Sequence, residues 1–444
     1  MFTFLYRIGT AAYFTAIRLG ARLGVSSAQK WVRGRHNEGA AFTSIGAAAG
    51  AGNVSELAKR GRAAPPLVWV HAASLGEWEQ GRPVVAALRR HHPEVRVLLT
   101  FFSPSGYDRS KDDPLADYVR YLPADHPRTA RHFIRHLRPA AAVFVKYEFW
   151  FYFLRELRRA DVPTYLVAAS FRPTQPFFHP RAWVRNWWVD LLGFYTKIVV
   201  QTTRDRDLLL DRPGVPADRV AVGGDPRLDR VLELATTPFT DDKLAAFTAG
   251  DAPVLMAGSV WPEDVRVLQA ASNAGLGDFR LILAPHQLTE AELMAWTRSF
   301  GAVRYTKTTV ERIAAAPVLI LDVIGILSRA YRYADVAYVG GAFRTGLHNT
   351  LEPLAYGLPT VFGPNHDKFP EAAAAIAAGG ARSIDSAEEL RDVLEAWKPG
   401  SPAYDRSVAA QHELAEANRG AGERTFRLLD LGLTNNPAAP GKAT

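Results

Sequence analysis

Four short segments hold residue types suited to moving a proton or holding a phosphate. In His71-Ala72-Ala73-Ser74-Leu75-Gly76-Glu77 the small residues let a ligand come close to the backbone. Two readings of its carboxylate stand side by side. Ser74 and Glu77 are spaced as a helix capping box, or Glu77 is a general base that takes a proton from an attacking hydroxyl. Val145-Lys146-Tyr147-Glu148-Phe149-Trp150 sets an acid among aromatics, either as a helix-start carboxylate or as a second acid lining a ligand site. Ala257-Gly258-Ser259-Val260-Trp261-Pro262 offers the free N–H groups of a helix start to a phosphate, but it is not a P-loop. The run from Val339 to Pro353 has Gly340, Gly341 and Gly346, then Asn349 and Glu352 on one helix face. Its loop suits a phosphate and Glu352 suits a pair of ribose hydroxyls; the other reading is a first-turn Glu favoured by the helix dipole. Three further loops read either as plain connections or as completing that site. They are Pro285-His286, the stretch ending in Gly325, Ile326 and Leu327, and Gly363–Phe369 with Lys368.

These segments need strands to deliver them. Short apolar runs are expected as strands over 67–71, 95–102, 141–146, 164–169 and 198–202, with helices between. The rhythm breaks at 236–252 and restarts with strands over 253–257, 280–284, 318–321, 336–340 and 360–362. This predicts an α/β chain of two similar halves, each with a mainly parallel sheet whose ligands meet the strands' carboxyl ends. The expected divisions are 1–37, 38–240, 241–433 and a frayed tail at 434–444.

The chain has 444 residues, 48% of them apolar, which suits two domains of roughly 180–220 residues. The absence of cysteine excludes disulfides, thiolate zinc sites and cysteine nucleophiles. HExxH, GxSxG and EF-hand patterns are missing, and the twelve histidines lack close metal spacing. Asp205-Arg206-Asp207 reads as helix capping rather than a metal site. The net charge of +8 suits anionic lipid or a phosphorylated substrate; the scattered Lys and Arg argue against nucleic acid. Residues 1–37 have no Asp or Glu but carry Arg7, Arg18, Arg22, Lys30, Arg33 and Arg35 among apolar residues. The longest uncharged run there, 8–17, is short of the ~20 residues that span a bilayer. A basic helix lying in an anionic membrane surface is expected, the alternative being a helix packed on its own domain.

Taken in order, HAASLGE (71–77), FFSPSGYD (101–108), YEFW (147–150), GSVWPED (258–264), DVIGIL (322–327) and VGGAFRTGLHNTLEPLAYGLPTVFGPN (339–365) resemble the bacterial 3-deoxy-D-manno-octulosonic acid (Kdo) transferases of lipopolysaccharide synthesis. The resemblance implies a GT-B architecture, two Rossmann-like domains facing a central cleft, with an N-terminal membrane-associated helix. It implies transfer of Kdo from CMP-Kdo to a lipid A precursor, with inversion and with neither metal nor cofactor. It also implies the cytoplasmic face of the inner membrane of a Gram-negative bacterium. It puts the base reading of Glu77 ahead of the capping one. Ser74, Ser105 and Glu148 fall to the acceptor; Arg172, outside these motifs but just after a strand, is expected at the acceptor phosphate. Gly258, Ser259, Pro285, His286, Gly325, Ile326, Leu327, Asn349 and Glu352 fall to the CMP donor. Two departures stand out: Lys146 occupies a place where the family often has an acid, and His286 follows Pro285 where a Pro-Arg-His is common. Arg344 or Lys368 is then expected to supply the cation facing the donor sugar. The rivals are another GT-B nucleotide-sugar transferase, a UDP-sugar epimerase, or a non-catalytic membrane-bound nucleotide-sugar binding protein.

Overall fold

The structure, a computed structural model, describes residues 2–35, 42–46, 65–211, 214–344 and 346–433. Most of the expected connection at 38–65, Thr345 and the tail from 434 lie outside the described residues. The chain divides into two compact units, residues 1–227 with 420–444, and residues 228–419.

The first unit is built on seven parallel strands: β1 (Leu67–Ala72), β2 (Arg96–Phe101), β3 (Tyr118–Tyr121), β4 (Ala141–Val145), β5 (Thr164–Ala169), β6 (Lys197–Val200) and β7 (Val220–Val222), in the order β3-β2-β1-β4-β5-β6-β7. Along β1, Leu67 and Trp69 enter one apolar cluster while Val68, Val70 and Ala72 enter another, so both faces are covered. That two-sided burial is why these strands read as continuous apolar runs.

The second unit repeats the plan. Its strands are β8 (Val254–Val260), β9 (Arg280–Pro285), β10 (Val303–Arg304), β11 (Val318–Ile320), β12 (Val336–Val339), β13 (Thr360–Phe362) and β14 (Ala381–Ser383), in the order β10-β11-β9-β8-β12-β13-β14. The expectation of two Rossmann-like α/β domains of GT-B type is met by these two sheets. In each, the strand order reverses next to the unit's first strand, between β1 and β4 and between β8 and β12. Such reversals open a crevice at the carboxyl edge of a parallel sheet, where ligands bind.

The division falls at 227/228 rather than the expected 240/241. The helix Arg227–Thr236 buries Leu228, Val231 and Leu232 on Leu351, Leu354 and Ala415, which ties it to the second unit. The helix Ala421–Arg427, expected in the second domain, returns to the first. Gly422 lies against Pro83, and Glu423 pairs with Arg90 at 2.9 Å and His91 at 2.7 Å.

The N-terminal helices Phe2–Arg22 and Ser26–Gly34 belong to the first unit. Phe14 and Trp31 are buried, while Phe4, Ile8, Leu19 and Leu23 are each at least half exposed. One face of this segment therefore packs on its own unit, as the alternative reading has it, and the other is open. Among the described residues no helix is long and apolar enough to cross a membrane. Phe177 and Phe178 are core residues, whereas Trp183 is exposed.

The Tyr6 hydroxyl donates to Asp125 at 2.6 Å, and Asp125 accepts the N–H groups of Tyr152 and Phe153 at the start of the helix Phe151–Arg159. Burial pushes the Asp125 carboxyl up to about 6, outweighing those hydrogen bonds. Between the ordinary carboxylate value and pH 6 the folded chain holds a proton here that the unfolded chain has released. This group therefore favours folding increasingly as pH falls through that window. In urea titrations the parent is expected to gain stability on Asp125→Asn between pH 6 and pH 4; a constant gap contradicts this.

Candidate active-site loops

In the first unit, loops after β2, β1, β4 and β5 lie side by side at the carboxyl edge. Ser74 precedes the helix Leu75–His91 but makes no capping bond through its side chain; its hydroxyl instead donates to the Glu77 carboxylate. The capping box is therefore not formed, and the half-buried Glu77 has one oxygen fixed by Ser74. The Ala73 carbonyl accepts the N–H groups of Phe102 at 3.2 Å and Ser103 at 2.7 Å, binding this loop to the one carrying Ser105. Ser105 is exposed, with its hydroxyl 2.8 Å from that of Ser103.

Glu148 sits differently from a residue open to an acceptor. It is buried, with Oε2 3.1 Å from His71 Nε2 and accepting Trp150 Nε1–H at 2.5 Å, and its backbone carbonyl takes the Tyr195 hydroxyl. His71 is wholly buried and its Nδ1 lies 3.0 Å from the Thr100 carbonyl. A carbonyl only accepts, so that nitrogen carries hydrogen, and Nε2 lies 3.1 Å from both the Glu148 carboxylate and Trp150 Nε1, whose N–H points to the pair. Lys146, at φ 73, turns the chain sharply just past β4. Arg172 is exposed past β5, close to the Tyr147 hydroxyl. Asp205 is buried and accepts from Thr202, Ser170 and the Phe171 N–H, so its role is to shape these loops.

In the second unit the loops after β8 and β12 are knitted by a residue not singled out in the sequence. Asp264 is fully buried and accepts from Trp261 N–H, Gly341 N–H and the Tyr338 hydroxyl, each at 2.9 Å. Gly340 has no room for a side chain beside the Ser259 carbonyl, and Gly341 sits at φ +97 against Gly346 and His348. Ser259 itself adopts φ 54 at a break in the β8–β9 register. A side chain on Gly258 would strike the buried Tyr331 hydroxyl, and Leu327 lies beyond it. Burial raises the Glu352 carboxyl, against the Asn349 amide donated at 3.2 Å, and Glu352 in turn acts on Tyr331. Gly258, Leu327, Asn349 and Glu352 are thus brought into one neighbourhood through Tyr331.

His286 stacks on both Trp261 and His348, at 4.5 and 4.3 Å between ring centres. Trp261 Nε1 donates to His348 Nε2 at 2.8 Å. Burial, then the neighbouring His286, lowers His348 to about 4, so at neutral pH it is an uncharged acceptor. His286 is also lowered, first by burial and then by Arg344. The charge at this stack belongs to Arg344, whose guanidinium lies 4.2 Å over the Trp261 ring. Lys368, Gly325 and Ile324 are exposed on their own loops. Trp261, His348 and Asp264 lie inside motifs the sequence did mark; His71 and Trp150 likewise flank Glu77 and Glu148 there.

The family profile described as 3-deoxy-D-manno-octulosonic-acid transferase (kdotransferase) matches residues 48–230. Curated relatives carrying that transferase name include one from Bordetella pertussis, 29% identical over 83% of this chain and 89% of its own length. Another, from Haemophilus influenzae, is 25% identical over 84% of this chain and 88% of its own. The chain is similar to Kdo transferases over most of its length. Among solved structures, the UDP-GlcNAc 2-epimerase of Neisseria meningitidis bound to UDP-GlcNAc has a TM-score of 0.57 at 14% identity, covering 82% of this chain and 99% of that one. The corresponding epimerase of Methanocaldococcus jannaschii gives 0.53 at 13% identity, over 74% of this chain and 92% of that one. At these identities the likeness concerns the two-domain fold. It adds no substrate.

Proposed function

We propose that the chain is an inverting glycosyltransferase that moves Kdo from CMP-Kdo to a lipid A precursor. The observation that carries this is the Ser74-held Glu77 carboxylate at the β1 end, beside the strand-order reversal of a sheet that the Kdo transferase profile matches. Glu77 takes the proton from the acceptor hydroxyl as its oxygen attacks the anomeric carbon; the bond to CMP breaks and the phosphate leaves with the electron pair. In the second unit, the N–H groups around Gly258 and Gly341 serve the CMP phosphate, Asn349 and Glu352 the ribose, and Arg344 the donor's carboxylate. Ser105 and Arg172 serve the acceptor from the rim of the first sheet, while Glu148 acts from beneath it. CMP is expected to raise the thermal midpoint of the full chain more than UDP does. A larger shift with UDP favours a UDP-sugar enzyme and rejects this donor.

The working place we propose is the cytoplasmic face of the inner membrane, with the open apolar face of Phe2–Arg22 on anionic lipid. Its support is the exposure of Phe4, Ile8, Leu19 and Leu23 beside Arg18 and Arg22. Phe4→Ser, Leu19→Ser and Leu23→Ser combined are expected to lower partition into phosphatidylglycerol-containing vesicles at least tenfold, since each apolar group buried contributes on the order of 1–2 kcal/mol. Unchanged partition rejects the surface.

A further inference from the structure

We propose that Arg35 is a positioning residue for Glu77, so that the seating of the N-terminal helices sets the position of the base. This rests on the reading of Glu77 as the general base. Arg35 follows the helix Ser26–Gly34, and its guanidinium donates to the Leu122 carbonyl at 2.7 Å and the Phe102 carbonyl at 2.8 Å. These are the first residues past β3 and β2. A planar fork reaches both at once; an ammonium is a point donor. The same guanidinium lies 3.9 Å from the Trp31 ring centre, 4.8 Å from Tyr121 and 5.1 Å from Phe102.

Phe102 is where the contacts converge. Its N–H donates to the Ala73 carbonyl, one residue before Ser74, whose hydroxyl holds Glu77. Its ring stacks on Trp150 at 5.1 Å and meets Trp31 at 5.7 Å and Tyr13 at 6.2 Å. Trp150 in turn donates to Glu148. One residue therefore links the N-terminal segment, the buried His71–Glu148 pair and the backbone carrying the base. Gly34 shows how close this seating is, because a side chain there would enter the Tyr121 ring. Withdrawing the guanidinium frees the Phe102 carbonyl and loosens the loop on which Ala73 and Ser74 depend.

The test is steady-state kinetics of the full chain with acceptor in detergent micelles, which removes vesicle partition from the readout. Arg35→Ala is expected to lower kcat about 10²-fold, the scale of an ångström-size misplacement. The acceptor KM and CMP protection should stay within about twofold. Arg35→Lys keeps the charge and stem, so it serves if the alanine variant does not fold; its expected kcat loss is about tenfold or more. An unchanged kcat in the folded variant, or a loss confined to KM, overturns the inference. Glu77→Gln run alongside separates the two claims. If it turns over normally, the base reading falls and this inference with it; if it is inactive while Arg35 variants are fully active, this inference alone falls.

Discussion

Glu77→Gln is expected to lower turnover by about 10²–10⁴-fold, the usual contribution of a positioned general base. The amide keeps the size of the side chain and still accepts from the Ser74 hydroxyl, the bond seen in the structure. It cannot take a proton. Fold and CMP protection should therefore survive, because Asn349 and Glu352, the residues proposed for the donor, lie in the other unit. The loss should appear equally in kcat and kcat/KM, as for an interaction made only in the transition state. Single-turnover measurement with saturating CMP-Kdo checks it. Turnover within a few-fold of the parent, an effect too small for a lost general base, rejects the assignment.

The largest stability effect is expected at the buried pair beneath that loop. His71→Leu leaves the Glu148 carboxylate in an apolar setting with the Trp150 N–H as its remaining side-chain donor. Removing one partner of a buried pair costs about 3–5 kcal/mol, whereas replacing both with apolar groups is often close to neutral. His71→Leu with Glu148→Leu should thus recover much of what the single change loses. Urea unfolding of the first unit reads both. A single-variant cost below about 1 kcal/mol would mean the pair is not isolated from water as drawn.

The central strands were legible in the sequence because both their faces are covered, and 164–169 and 360–362 coincide with β5 and β13. The edge strands β3, β7, β10 and β14 were not anticipated. They have two to four residues and are partly exposed, so they leave no apolar run to read. The same limit hid the return of Ala421–Arg427 to the first unit, which depends on Gly422 meeting Pro83 far away in sequence. The loops that hold Glu77, Gly258, Asn349 and Glu352 were legible as small-residue turns after strands. What binds them together was not. Asp264 reaching Gly341, and Phe102 reaching Ala73, are contacts between loops from different strands, and the strand order decides them. Ser74 and Glu77 have the spacing of a capping box, yet the hydroxyl turns to the carboxylate rather than to the helix N–H groups.

The most direct measurement is mass spectrometry of a lipid A precursor incubated with the full chain and CMP-Kdo generated in place. The account predicts a precursor heavier by one or more Kdo units, with CMP released in equal number. An unmodified precursor beside intact CMP-Kdo, from protein that still binds CMP, would contradict it.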